Sequence, residues 1–222
     1  MHDEANTAIY CSWSGGKDSS LALNLAIQDG ARPGLLVTML TEGGERSRSH
    51  GLRRELLEAQ AAAIGAPIAF AATTWEGYEE ALTAELVAAR RRGLRAGVFG
   101  DIDIESHREW VERVAAAAGT TAVHPLWHRD RAELMHEVLD RGFRAVIVAI
   151  RDGLLPTSLL GETIDATMLD EFERAGVDLA GENGEFHTCV VDGPIFSHPV
   201  EVERGEVVLR DGVWFVDLVP RP

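Results

Sequence analysis

Lysine is almost absent from this chain. Lys17 is the only one among 21 basic residues, and the rest are arginine. Long apolar runs are absent too. No stretch approaches the ~18 residues that a membrane-spanning helix needs. The start, Met1-His2-Asp3-Glu4, lacks the basic and apolar segments of a signal peptide, so the expected location is the cytoplasm, away from membranes. Cysteine is limited to Cys11 and Cys189. Two distant thiols make neither a disulfide framework nor a zinc site, and no Cys-x-x-Cys is present to carry iron–sulfur chemistry or sulfur transfer. Cys11 falls in an apolar strand and reads as core. Cys189 follows a polar cluster, and either packing or chemistry fits that position. Positive charge is also short. A formal net charge of −15 repels nucleic acid and anionic membranes, so neither is an expected partner. The run Arg90-Arg91-Arg92 is a local exception and falls near a helix end, where cations complement the dipole.

Apolar residues make up 45% of the 222, enough to bury a real core. Residues 8–13 read as a buried strand, followed by a glycine turn and a helix over 19–27. Strands over 34–40, 67–71 and 95–100 alternate with helices over 52–64, 76–92 and 105–118. A fifth short strand falls at 122–127. Strands alternating with helices predict a doubly wound, Rossmann-like parallel sheet of the α/β class. The pattern changes after Trp127. A helix over 130–141, a strand over 144–150 and a helix over 169–175 precede a Gly-rich polar stretch, 181–194. Three alternating strands then follow, with turns expected at Gly205 and Asp211-Gly212. This predicts two domains, 1–126 and a smaller α+β domain, 127–222. Exposed strand edges in the tail make a homodimer a reasonable expectation.

The lone lysine lies in Ser14-Gly15-Gly16-Lys17-Asp18-Ser19, directly after the first strand. An ammonium is a compact charge, whereas a guanidinium is a broad planar fork. A tight glycine turn around phosphates accepts the first and excludes the second. Adjacent glycines let successive backbone N–H groups converge on an anion. Ser14 and Ser19 add hydroxyls, and the following helix aims its positive end at the same point. Asp18 either caps that helix or helps hold a cation. The spacing is not that of a Walker A loop, which needs four residues between its first glycine and Gly-Lys.

Ser-Gly-Gly-x-Asp-Ser is similar to the signature of PP-loop ATP pyrophosphatases, of the HUP type. Gly181-Glu182-Asn183-Gly184-Glu185-Phe186-His187-Thr188 narrows the resemblance to the diphthine–ammonia ligase family. His50-Gly51, Phe99-Gly100-Asp101-Ile102 with His107 and Trp110, Pro125-Leu126-Trp127, Leu160-Gly161 and Asp192-Gly193-Pro194-Ile195-Phe196 fit the same pattern in order and spacing. The resemblance covers nearly the whole chain. It implies an ATP-dependent ligase that adenylates a carboxylate, releases pyrophosphate and forms an amide with ammonium. The carboxylate would be diphthine on elongation factor 2 or a small molecule. At this length free ammonium, rather than a glutaminase domain, is the expected nitrogen source, and the C-terminal extension of eukaryotic members is not expected.

By this resemblance ATP would be held by Ser12, Ser14, Gly15, Gly16, Lys17, Asp18, Ser19, Met39, His50, Gly51, Gly100 and Asp101. His50-Gly51 would border the adenine pocket. Asp18 and Asp101 would meet Mg²⁺, although ribose contact or helix capping suits Asp101 equally. Catalytic roles would fall to Lys17, Asp18, Glu182, Glu185 and His187. The second substrate would meet Trp127, Glu182, Asn183, Gly184, Glu185, His187 and Thr188. Carboxylates and an aromatic face such as Trp127 suit a quaternary ammonium. A nucleotide-binding regulator without turnover, or an adenylating enzyme acting on tRNA, uses the same kind of loop.

Overall fold

The structure is a computed structural model that describes residues 7–221, so the acidic Met1–Glu4 start lies outside it. In chain order the elements are β1 (Thr7–Ser12), α1 (Lys17–Gln28), β2 (Ala31–Leu40), α2 (Arg54–Ile64), β3 (Ile68–Ala72), α3 (Tyr78–Arg91), β4 (Ala96–Val98), α4 (Glu105–Ala117) and β5 (Thr121–Val123). They continue with α5 (Arg131–Asp140), β6 (Arg144–Arg151), a short 3-10 turn at Thr157–Leu159, α6 (Ala166–Arg174), β7 (Phe186–Asp192), β8 (Val202–Arg210) and β9 (Val213–Pro220). The chain divides into two compact units. The first holds residues up to Ser14, Asp18–Arg48 and Gly65–His128. The second holds Gly15–Lys17, Ser49–Ile64 and residues from Arg129 onward.

The first unit is built on a parallel sheet of order β3-β2-β1-β4-β5, flanked by helices. Its central strands are continuous apolar runs, as a sheet covered on both faces requires. Leu35 to Leu40 are all buried. One core gathers Tyr10, Val37 and Phe99 with Leu82 and Leu86 of α3 and Val111 and Val114 of α4. Tyr10 meets Phe99 edge-to-face at 6.1 Å, and its hydroxyl pairs with Thr120 Oγ1 at 2.8 Å, so the one polar atom of that ring is satisfied. Arg90 and Arg91 occupy the last turn of α3, where the dipole favours them. The strand order reverses at β1. Ligands in such sheets gather at the carboxyl ends of the strands flanking that point, here β1 and β4.

The second unit carries an antiparallel sheet of order β7-β6-β9-β8. Strand β6 is buried from Ala145 to Ile150. Helices α5 and α6 start at side-chain caps. Asp130 accepts from the Ala132 and Glu133 amides, and Asp165 accepts from Met168. Helix α2 also belongs here, beside β9, and Arg53 forms a bidentate pair with Asp217. Strand β8 is an edge carrying Glu203, Arg204, Glu206 and Arg210, charges of the kind that discourage edge-to-edge pairing. Among the described residues, no helix is long and apolar enough to cross a membrane.

Three local expectations change. Residues 181–194 are not polar throughout, because Phe186–Asp192 is a strand whose Phe186, Thr188, Cys189, Val190 and Val191 are buried. Its ladder to β6 draws it into the core despite the polar residues around it. Gly205 is not a turn. Strand β8 runs through it with an irregularity between Arg204 and Val207, because Gly205 gives Asp217 room to lie against it. Residues 125–127 do not extend β5, which stops at Val123. The Asp211-Gly212 turn does join two strands, with both residues at positive φ, 48° and 77°.

Candidate functional site

In the second unit, Gly15–Lys17 are tied to β7 and α2. Gly15 O accepts from the Val190 amide at 2.9 Å and from Gln60 Nε2 at 3.0 Å. The Lys17 amide donates to Thr188 Oγ1 at 3.1 Å. His50 Nδ1 donates to Thr188 O at 2.8 Å, which leaves Nε2 as the acceptor nitrogen of a neutral ring. Burial, reinforced by the charge of Lys17, holds that imidazole down to about 4, although its bond to Thr188 O works the other way. His50 also packs on Gly16. A Cβ at Gly16 would stand 2.4 Å from His50 Cε1 and 3.1 Å from Thr188 O, so only glycine fits. Gly15 adopts φ 80°, the left-handed region that favours glycine. Lys17 is buried, with Nζ 5.7 Å from the centre of the Phe186 ring. The His187 ring lies tilted against His50, with the ring centres 4.7 Å apart.

The turn before β7 is stitched to itself. Glu185 is buried, and its carboxylate accepts from the Asn183 amide at 3.0 Å and from Asn183 Nδ2 at 3.1 Å. Asp178 caps the same turn, accepting from the amides of Ala180 and Glu182, both at 3.0 Å. Gly184 adopts φ 77° and faces Arg151, whose guanidinium bonds to Asn183 O. Glu182 is partly exposed beside it. Cys189 lies fully buried within hydrogen-bonding reach of Gln60, and burial pushes its thiol up to about 12, so it is core rather than a nucleophile. Cys11 is buried and raised in the same way.

In the first unit, Ser14 and Ser19 are joined by their hydroxyls at 3.0 Å. Gly100 packs on the start of α1, where a Cβ would stand 3.0 Å from both Asp18 C and Ser19 N. Asp101 follows and lies 3.5 Å from His124 Nδ1. The His124 side chain is buried, and neither ring nitrogen has a hydrogen-bond partner among the described residues. Ser12 ends β1, and Met39 is buried in β2. Trp127 has the Arg108 guanidinium over its ring, 4.9 Å from the centre, and the tilted His128 ring at 4.7 Å. Its face therefore already holds a cation. Among the described residues, no group of three or more His, Cys, Asp or Glu is arranged to hold a metal ion.

The second-unit residues bring together Gly15, Gly16, Lys17, His50, His187 and Thr188. Glu182, Asn183, Gly184 and Glu185 form the adjoining turn, and Gly51 faces Phe215 instead. Gln60 and Asp178 escaped the sequence reading. A single polar residue in the Ala-rich run of α2 was the only sign of Gln60. An Asp three residues before Gly181 was the only sign of Asp178.

Sequence models of the diphthamide synthase N-terminal and C-terminal domains match residues 7–122 and 130–218. The chain is 30% identical over 120 residues to the human diphthine–ammonia ligase, covering 52% of this chain and 45% of that protein. The zebrafish (Danio rerio) diphthine–ammonia ligase is 31% identical over 115 residues, covering 50% and 45%. The fission yeast (Schizosaccharomyces pombe) protein of that name is 28% identical over 119 residues, covering 52% and 20%. The chain thus spans less than half the length of these relatives. With matches to both domains of one enzyme, in order and across nearly all its described residues, the chain belongs to the diphthamide synthase family.

Proposed function

We propose that this chain is an ATP-dependent amide ligase acting as its relatives' name, diphthine–ammonia ligase, suggests. The observation that carries this reading is the bonding of the Gly-Gly-Lys segment to the strand of the second motif, through Gly15 O to Val190 and Lys17 N to Thr188. Residues that are 171 positions apart converge in one compact unit, as a two-motif catalytic site requires. In this reading residues 1–126 supply most nucleotide contacts and 127–222 the acceptor contacts.

A carboxylate oxygen of the acceptor attacks the α-phosphorus of ATP. The bond to the bridging oxygen breaks, pyrophosphate leaves, and an acyl adenylate forms. Ammonia nitrogen then attacks the acyl carbon, AMP leaves with the bonding electrons, and the nitrogen loses a proton. Lys17, the serine hydroxyls and the α1 terminus stabilise phosphate charge that grows as pyrophosphate departs. Asp18 and Asp101 are the carboxylates that would hold Mg²⁺, which would supply further neutralisation of that charge. In this reading Glu182 and His187 receive the ammonium proton, and Glu185, bonded to Asn183, shapes the turn that carries Glu182.

The test is incubation with ATP, Mg²⁺ and ammonium, together with either diphthine-bearing elongation factor 2 or a panel of small carboxylates. Products are followed by mass spectrometry. AMP, pyrophosphate and an amide, formed only with an acceptor, are expected. Steady release of ADP and phosphate, or no turnover with any acceptor while ATP stays bound, overturns the ligase reading.

A further inference from the structure

We infer that Gln60 is a positioning residue of the phosphate loop, fixing the plane of the Gly15–Gly16 peptide; this rests on residues 14–19 being the nucleotide site. Gln60 is fully buried in α2, a helix otherwise apolar on that face. A buried primary amide is costly unless bonded. Its Nε2 has two hydrogens and meets three acceptors, Gly15 O at 3.0 Å, Val190 O at 2.7 Å and Cys189 Sγ at 3.5 Å. Its Oε1 also faces Gly15, 2.7 Å from where a Cβ there would sit. Leu52 and Leu57 close the remaining space at 2.7 Å and 3.0 Å from the same point. Gly15 is therefore held both by polar contacts and by close packing.

The consequence follows from peptide geometry. In a trans peptide the C=O and the next N–H lie in one plane and point opposite ways. Gly15 O is pinned from one side by Gln60 and the Val190 amide. The Gly16 N–H is thereby aimed to the other side, away from β7. Gly15 at positive φ has few steric restraints of its own, so without that pin the peptide can rotate. A loop that binds phosphate by backbone N–H groups depends on such an aim being set in advance. The Lys17 amide donates to Thr188, so it contributes less to such a nest.

The experiment compares wild type with Gln60→Met, an unbranched apolar side chain of similar length. Calorimetry measures dissociation constants for ATP, inorganic pyrophosphate and adenosine, with circular dichroism and thermal unfolding as the check on folding. In the variant, ATP and pyrophosphate are expected to bind about tenfold more weakly, the scale of one lost hydrogen bond. Adenosine, which lacks phosphates, is expected to bind as before. Unchanged ATP affinity in a folded variant, or equal weakening of all three ligands, overturns the positioning role. Should Gln60→Met not fold, Gln60→Asn keeps the amide and shortens its reach, and the same selective loss is expected of it. A wild type that binds neither ATP nor pyrophosphate overturns the nucleotide reading itself, a result that the variant's behaviour does not affect.

Discussion

Two buried polar groups of this chain are treated in opposite ways. Around Gly15–Lys17 in the second unit, the key polar atoms are matched. Gly15 O has two donors, Thr188 offers its hydroxyl oxygen to Lys17 and its carbonyl to His50, and Gln60 spreads its hydrogens over three acceptors. In the first unit, Asp101 and His124 approach to 3.5 Å, yet both ring nitrogens of His124 lack a hydrogen-bond partner among the described residues. A matched network is rigid and expensive to disturb, whereas an unmatched buried group is itself a cost of about 1–3 kcal/mol. Changes in the first cluster should therefore damage the protein. A change in the second can improve its stability.

The largest effect is expected from Lys17→Ala, which removes the one ammonium from the loop. Pyrophosphate release should fall at least about a hundredfold, the scale of losing one charge-stabilising group. Retention of most activity in a folded variant would show that backbone groups suffice. Next in size is Glu185→Ala. ATP affinity should survive, while amide formation falls by about tenfold or more as the Asn183 turn loses two hydrogen bonds. Equal loss of ATP binding, read by calorimetry, would place Glu185 among the nucleotide contacts instead.

The pH dependence of folding probes the matched cluster directly. His50 titrates at about 4 when folded and at its ordinary 6.5 when unfolded. Its contribution is present above pH 6.5, where both states are neutral. Below that the unfolded chain takes up a proton first, so stability drops as pH falls through 6.5 and the loss is complete near 4. The drop is about 3 kcal/mol at most. Denaturant titrations of wild type and His50→Gln at several pH values should show the wild type losing more across this window. Parallel curves would mean that the ring is accessible to protons in the folded state.

The smallest effect has the opposite sign. His124→Phe replaces an unmatched ring by an apolar one of similar shape beside Phe99 and Trp127. The melting temperature should rise by about 2–4 °C, as a gain of about 1 kcal/mol does in a chain of this size. A fall would mean that the 3.5 Å approach to Asp101 is worth more than the burial costs.

The first unit was legible because its elements are regular. Continuous apolar strands such as Leu35 to Leu40, with helices between them, announce a parallel sheet. Strand β2 began earlier than read, at Ala31, because pairing with β1 carried it through Pro33. The second unit was harder. Phe186 to Asp192 carries His187, Thr188 and Cys189, and its glycine-rich approach suggests a loop until β6 is there to pair with it. Long-range pairing of that kind leaves no local trace in a sequence. For the same reason Thr188 was recognised as part of a motif while its bond to Lys17 was not. By sequence an aromatic face at Trp127 suits a cationic substrate, but the sequence does not say that Arg108 covers it.

The annexation of Gly15–Lys17 by the second unit bears on how this protein can be dissected. A fragment ending at residue 126 would include the entire Ser14–Ser19 loop, and by sequence it would look like a self-sufficient nucleotide binder. It would lack Thr188 and Val190, the partners of Lys17 and Gly15. Complementation by a separately expressed C-terminal half, rather than truncation alone, is the appropriate way to ask what each half contributes.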